Sequence, residues 1–272
     1  MKDYTMSLLK FELIRKGTTQ SSLIFFPGGP GLSWHCFEAL INSLETDCSI
    51  YGITYNQVSC NESTYFNEQA FELTLLLQTI PNPILVTHSF SSMFVLSLRR
   101  LPSLKGLVLI SPAVDNSYLF ELPQRLKTYT KFDGTQIAAN FWINPSDTSY
   151  AEYFKGLLPF YFRPDYIEDG LIMLDQCDFT HLPYVLCTQH FYPTFTQSYT
   201  PEIPTLIISG DDDYICPPSL FKDSLIFKGN NIQMAIIPDA GHFPWVDSLD
   251  STLTAFSVWH ETIIRSLTTP SQ

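Results

Sequence analysis

Residues 83–92 read Pro-Ile-Leu-Val-Thr-His-Ser-Phe-Ser-Ser, an apolar strand that runs into a serine and then into a helix-forming segment, Ser91–Leu101. A serine at such a strand-to-helix corner has its hydroxyl raised above the sheet edge with the helix N-terminus beneath it. That setting favours developing negative charge. The common form of this corner is G-x-S-x-G, because small residues let neighbouring backbone come close. Thr87 and Ser91 stand at the glycine positions here, Ser91 small and Thr87 β-branched. By itself the segment fits a nucleophilic Ser89 and an ordinary helix cap by Ser89 or Ser91 equally well.

Outward from this corner, short apolar runs recur with helical patterns between them, the rhythm of parallel βαβ units. The predicted strands are Ser22–Phe26, Cys48–Thr54, Pro83–Thr87, Gly106–Ile110, Pro204–Ser209 and Ile232–Ile237, with Met6–Lys16 as an edge strand. Runs such as SLIFF and LVLI are continuously apolar, as strands covered on both faces should be. Helices are expected at Trp34–Leu44, Phe66–Thr79, Ser91–Leu101 and Ser248–Leu267. In the last, Leu249, Leu253, Phe256, Trp259, Ile263 and Leu267 recur three or four residues apart. The alternation stops between Ala113 and Tyr199, a stretch broken by prolines. The expected architecture is therefore an α/β core (residues 1–112 and 200–272) interrupted by an inserted, mainly helical cap (113–199).

Three further segments follow predicted strands. Pro27-Gly28-Gly29-Pro30-Gly31 follows the Ser22–Phe26 strand. Its glycines let backbone N–H groups approach a substrate oxygen, as acyl transfer requires. A Gly/Pro turn is the plainer reading, and a phosphate loop is excluded because no G-K-[ST] follows. Asp211-Asp212-Asp213 lies at the carboxyl end of the next-to-last strand, where chemistry gathers in open α/β sheets. Metal binding is disfavoured there, since consecutive carboxylates splay and no His or Asp cluster lies nearby. His242 sits in Asp239-Ala240-Gly241-His242-Phe243-Pro244 beyond the last strand. Loop, serine, acid and histidine thus occur in one order, each after a strand.

Composition narrows the function further. The 272 residues carry 15 Lys plus Arg against 27 Asp plus Glu, a formal charge of −12, so nucleic-acid binding is not expected. Met1–Lys16 interleaves charges with apolar residues, so no signal-peptide core forms. No apolar run approaches the roughly 18–20 residues of a membrane helix. Six scattered cysteines with no metal spacing fit a reduced cytoplasmic compartment. Of the 39 aromatic residues, 19 fall between Ala113 and Tyr199, which suggests an aromatic wall over Ser89.

On the order Gly28-Gly29, Ser89, Asp213, His242, the sequence resembles the α/β-hydrolase superfamily. It is most similar to the branch of prolyl iminopeptidases and related serine aminopeptidases. Their H-G-G-P-G motif is matched at Pro27–Gly31 with Pro27 in place of the histidine. Their strand ending D-Q-R-G is altered here at Asn56 and Val58-Ser59. The family's G-x-x-D-x-x-x-P selects Asp213 between Gly210 and Pro217, and G-H selects His242. The resemblance implies that Ser89 is the nucleophile, His242 the base and Asp213 its partner. It also implies oxyanion donors at Phe90, Gly29 and Gly28, with His88 packed beneath the nucleophile. It implies no cofactor and no metal, and a small-molecule or short-peptide substrate cleaved at a peptide, amide or ester bond. Two substrate readings stay open: an aminopeptidase, whose substrate ammonium one of Glu121, Glu152, Glu168 or Asp169 would hold, and a carboxylesterase or lipase-like enzyme with an aromatic acyl pocket. Glu152, Phe160 and Tyr161 are the candidate cap contacts. A non-catalytic binding scaffold with a decayed corner is the third possibility, opposed by the intact Ser89, Asp213 and His242.

Overall fold

Among the described residues, seven strands form one sheet: β1 (Leu9–Arg15), β2 (Ser22–Phe26), β3 (Ser49–Tyr55), β4 (Pro83–His88), β5 (Gly106–Ile110), β6 (Thr205–Gly210) and β7 (Ile232–Ile237). The computed structural model describes residues 7–58, 60–102, 104–129 and 132–268, excepting the side chains of residues 129 and 264–268. Met6 of the expected edge strand, Ser59 of the altered strand end and the Leu267 side chain therefore lie outside the described residues. The strand order is β1-β3-β2-β4-β5-β6-β7. β1 runs antiparallel to β3, from Leu9 opposite Tyr55 to Leu13 opposite Tyr51; every other pairing is parallel.

The continuously apolar strands are buried along their full length, because both faces of the sheet are covered. Successive side chains point to opposite faces. Leu23, Phe25, Ile84 and Val86 enter one core, and Ile24, Phe26, Leu85 and Leu109 the other. Helices α1 (Glu38–Ser43), α2 (Tyr65–Thr79) and α3 (Phe90–Ser97) follow β2, β3 and β4. Between β5 and β6 come α4 (Ser117–Tyr129), α5 (Thr135–Ile143), α6 (Asp147–Gly156), α7 (Leu158–Tyr161), α8 (Ile167–Asp175) and α9 (His181–Leu186); α10 (Pro244–Asp247) and α11 (Leu249–Thr268) follow β7. Phe256, Trp259 and Ile263 of α11 are buried in the first core, as their spacing predicts, while Leu73 and Leu77 of α2 fill the second.

Two helices differ from expectation. The segment Trp34–Leu44 splits into a 3₁₀ turn at Trp34–Phe37 and the short α1. The Trp34 side chain fills the space above Gly52, and its indole N–H donates to Glu12 at 3.2 Å, which draws the first turn tight against the sheet. Helix α3 stops at Ser97 rather than Leu101. The chain leading back toward β6 supplies Ser198 and Tyr199 N–H groups to the Leu96 carbonyl at 2.7 and 2.9 Å, and Leu98 turns extended. The long segment between β5 and β6 is pinned where it departs and returns: Gln197 N–H bonds the Val114 carbonyl at 2.8 Å, and Asp115 pairs with Thr196.

Candidate active site

Ser89 lies between the last residue of β4 and the first of α3, at φ 52° and ψ −116°. L-residues seldom adopt this backbone, and it persists only where the surroundings enforce it. Here they do. Ser89 N–H donates to the Ile110 carbonyl at 2.8 Å, and its own carbonyl accepts from Met93 N–H at 3.0 Å. Ser91, at the second glycine position, accepts His88 N–H at 2.9 Å and lies 2.6 Å from the Phe26 carbonyl as donor. Thr87 Oγ1 donates to the Val108 carbonyl at 2.8 Å and sits 2.9 Å from Ser92 Oγ. The two departures from glycine therefore carry satisfied hydroxyls that tie the corner to β2 and β5. The opposite position, Gly28, leaves no room: a Cβ there would come within 2.8 Å of the His88 carbonyl and 3.0 Å of Ser89 Cβ.

His242 and Asp213 arrive from the loops after β7 and β6. His242 Nε2 is 2.9 Å from Ser89 Oγ, and Nδ1 is 2.9 Å from Asp213 Oδ2. The tautomer with its proton on Nδ1 satisfies both contacts, donating to the carboxylate and accepting the serine O–H. All three side chains are buried. Asp213 is held by Ile215 and Cys216 N–H groups at 2.9 and 2.8 Å. Of the three consecutive acids, Asp212 turns away to pair with Arg163, which also reaches Asp239 at 3.2 Å.

The glycine segment lies beside this trio. Gly29 and Ser89 share the lining of one cavity, and Phe90 opens α3, where the first N–H groups have no partner within the helix. A serine hydroxyl hydrogen-bonded to an imidazole, with a glycine loop on the same cavity wall, is the set of groups that acyl transfer draws on.

The cavity measures about 700 Å³ and reaches from Ser89 and His242 into the helices between β5 and β6. Phe160 and Tyr161 line it, as expected from sequence. Glu152 does not: it is exposed on α6, one residue from Tyr153, which does face the cavity. The helical period explains the miss, since adjacent positions point about 100° apart. Glu121, Glu168 and Asp169 are likewise exposed and off the cavity wall, Glu121 paired with Arg125 at 3.0 Å. Besides His88 and His242, the ionisable acids and bases on the wall are Lys127 and Asp133, both exposed to solvent. Among the described residues, no three His, Cys, Asp or Glu side chains cluster so as to hold a metal ion. None of their helices is long and apolar enough to cross a membrane.

Several contacts around the trio carried no signal in the sequence. His88 is fully buried, and its Nε2 meets the His242 carbonyl at 2.9 Å, where Ser111 Oγ also donates at 3.0 Å. Burial, then the neighbouring His242, pushes the His88 pKa well below the usual histidine value, so the ring is neutral. Asp247 Oδ2 accepts Gly241 N–H at 2.6 Å, anchoring the residue before His242. His242 N–H itself donates to the carbonyl of Tyr161 at 2.9 Å. Apart from the Asp247–Gly241 bond, which spans six residues, these contacts join elements far apart in sequence, so no local pattern betrays them.

Comparison with known proteins agrees with this architecture. The alpha/beta hydrolase family model matches residues 23–253. No curated protein matches the chain. Among solved structures, a thermophilic esterase from Thermogutta terrifontis is 19% identical, covering 94% of this chain and 93% of that one, with a TM-score of 0.65. A proline iminopeptidase-related protein from Thermus thermophilus is 16% identical, covering 94% of each chain, with a TM-score of 0.70. An epoxide hydrolase from Bacillus megaterium is 15% identical over 93% of this chain and 96% of that one, at a TM-score of 0.64. At these identities the structural likeness speaks for the fold; the family match over residues 23–253 identifies the chain as a member of the alpha/beta hydrolase family.

Proposed function

We propose that this chain is a serine hydrolase that cleaves carboxylic esters with neutral, apolar acyl groups through an acyl-enzyme. The observation that carries the reading is the unbroken line from Asp213 through His242 to Ser89, two contacts of 2.9 Å, ending in the cavity. Ser89 Oγ attacks the ester carbonyl carbon while His242 Nε2 takes the hydroxyl proton. The new C–O bond leaves negative charge on the carbonyl oxygen, which the N–H groups of Phe90 and Gly29, with Gly28 beside it, receive; one such donor is worth about 3–4 kcal/mol. Asp213 holds the imidazole and stabilises its positive form. The tetrahedral species collapses, the C–O bond to the alcohol breaks, and His242 returns the proton to it. Water, deprotonated by His242, then releases the acid and restores Ser89. An aspartate nucleophile, which epoxide-opening relatives of this fold use, is absent at position 89.

The ester reading rests on the cavity wall. An aminopeptidase needs an anion near the scissile bond for the substrate ammonium; Glu121, Glu152, Glu168 and Asp169 all lie off the wall, and Asp133, the one acid on it among the described residues, is exposed to solvent. Leu, Phe and Tyr side chains dominate it instead, matching a neutral acyl group in a site of ordinary ligand size. Residues 113–199 serve as the cap over this site. Six free thiols suit a reducing, cytoplasmic setting.

Fluorophosphonate labelling, followed by turnover of p-nitrophenyl butyrate beside proline and alanine β-naphthylamides, tests the reading. Wild type should label and cleave the ester, and Ser89→Ala should do neither. Faster cleavage of the naphthylamides would replace the esterase reading with the aminopeptidase one. Equal labelling of Ser89→Ala would remove Ser89 as nucleophile.

A further inference from the structure

Four successive residues after the glycine pair each take a partner from the insert. The Pro30 carbonyl accepts the Tyr150 hydroxyl at 2.6 Å, and the Gly31 carbonyl accepts Thr180 N–H at 2.8 Å. Leu32 forms an antiparallel bridge with Phe179, and Ser33 Oγ accepts Asp178 N–H at 2.9 Å. The fit is close. A Cβ at Gly31, whose φ is 109°, would stand 2.1 Å from the Thr180 carbonyl oxygen. A loop of three glycines and two prolines has few side-chain anchors of its own, so its shape is set by what it is bonded to.

Tyr150 is the side-chain member of this seam. It is fully buried, and Phe141 and Tyr184 pack against its ring at 5.6 and 5.0 Å between centroids, so its hydroxyl has one direction to point. The bond it makes is one residue from Gly29, whose N–H the mechanism uses. We infer that Tyr150 is a positioning residue for the reaction: by holding the Pro30 carbonyl it keeps the Gly28–Gly29 N–H groups aimed at the oxyanion, making the cap part of the catalytic centre. The inference rests on the serine-hydrolase reading and adds to it a residue that touches no substrate atom in the reaction.

The test is Tyr150→Phe, which retains the ring and removes the hydroxyl. Turnover of p-nitrophenyl butyrate should fall about 10- to 100-fold in kcat with KM within about twofold, short of the 10²–10³-fold cost of losing an oxyanion donor outright. A trifluoromethyl ketone forms a tetrahedral adduct with Ser89, so its affinity should fall in proportion to kcat. The matching methyl ketone reads ground-state binding and should bind as before. Circular dichroism should match wild type. Ser33→Ala, which removes the Asp178 contact, should show the same pattern more weakly, and it decides the matter if Tyr150→Phe does not fold. A folded variant whose kcat stays within about twofold of wild type overturns the inference, as does equal weakening of both ketones. Fluorophosphonate labelling of wild type separates the two levels: an unlabelled wild type overturns both readings, whereas a labelled wild type with unaffected variants overturns the role of Tyr150 alone.

Discussion

The imidazole of His88 donates from Nε2 to the main-chain carbonyl of His242 at 2.9 Å, joining the residue before one proposed catalytic group to the backbone of another 154 positions away. Because its pKa lies well below the usual value, His88 keeps a single proton, on the nitrogen that makes this bond. Its Nδ1 is buried without a partner, facing Gly28. Ser111 Oγ and the Tyr161 carbonyl complete a cage around the His242 main chain. His242 is thus held at its backbone from β4, from the residue after β5 and from α7 together.

Ser89→Ala should lower kcat for p-nitrophenyl butyrate by about 10⁴- to 10⁶-fold, and Asp213→Asn by about 10⁴-fold, the range found when members of such trios are removed. Both variants should keep their thermal midpoints near wild type. Steady-state kinetics beside a melting curve checks this. Residual activity above one-hundredth in Ser89→Ala is the contrary outcome.

Restoring glycine at position 91 should harm the protein. The Ser91 hydroxyl accepts His88 N–H and bonds the Phe26 carbonyl, so Ser91→Gly leaves buried polar groups unpaired. The cost should be about 1–3 kcal/mol in urea unfolding, with no gain in kcat. A variant as stable as wild type and faster would mean that Ser91 is a flaw in the corner.

Asp247 should make stability depend on pH in a narrow window. Burial pushes its carboxyl up to about 6, outweighing the lowering by Gly241 and Arg163 N–H groups and by the Arg163 charge, with Asp213 raising it further. The folded chain therefore binds this proton more tightly than the unfolded one, whose ordinary value is 3.8. The Asp247 contribution is greatest below about pH 4 and declines as pH rises to about 6, by up to about 3 kcal/mol. Subtracting the unfolding free energy of Asp247→Asn from that of wild type, at half-unit steps from pH 4 to 7, should give a curve that falls and then levels. A flat difference would contradict the burial argument.

The cavity wall, rather than the exposed acids, should control substrate choice. Glu152→Gln should leave ester and naphthylamide kinetics within about twofold of wild type, since surface substitutions seldom matter. Phe160→Leu should shift kcat/KM toward bulkier acyl chains by about tenfold, the scale of a few methylenes in an apolar pocket. A p-nitrophenyl ester series from acetate to decanoate measures this. Loss of naphthylamide cleavage in Glu152→Gln would instead implicate that carboxylate.

How far the sequence could be read depended on the range of the signal. The continuously apolar runs at β2, β4, β5 and β6 announced a sheet covered on both faces, and the three- and four-residue spacing of Phe256, Trp259 and Ile263 announced α11. Both patterns are local, set by the two- and 3.6-residue periods of the backbone. The order of Gly28-Gly29, Ser89, Asp213 and His242 was legible for the same reason, since each follows a strand whose end the sequence marks. Glu152 was misjudged because the pattern around Tyr150, Tyr153 and Phe154 locates a helix without saying which face meets the cavity.

By itself, then, the sequence determined the sheet, the corner at Ser89 and the chain order of the candidate trio, all carried by short-range chemistry. Tertiary structure alone decided how those groups are held and what they face. The tie from His88 to His242, the bond from Tyr150 to Pro30 and the placement of Glu121, Glu152, Glu168 and Asp169 off the cavity wall each depend on how separate elements lie against one another. Hydrogen bonds and close packing act through space over about 3–4 Å. Such contacts exist only once distant segments have folded against one another.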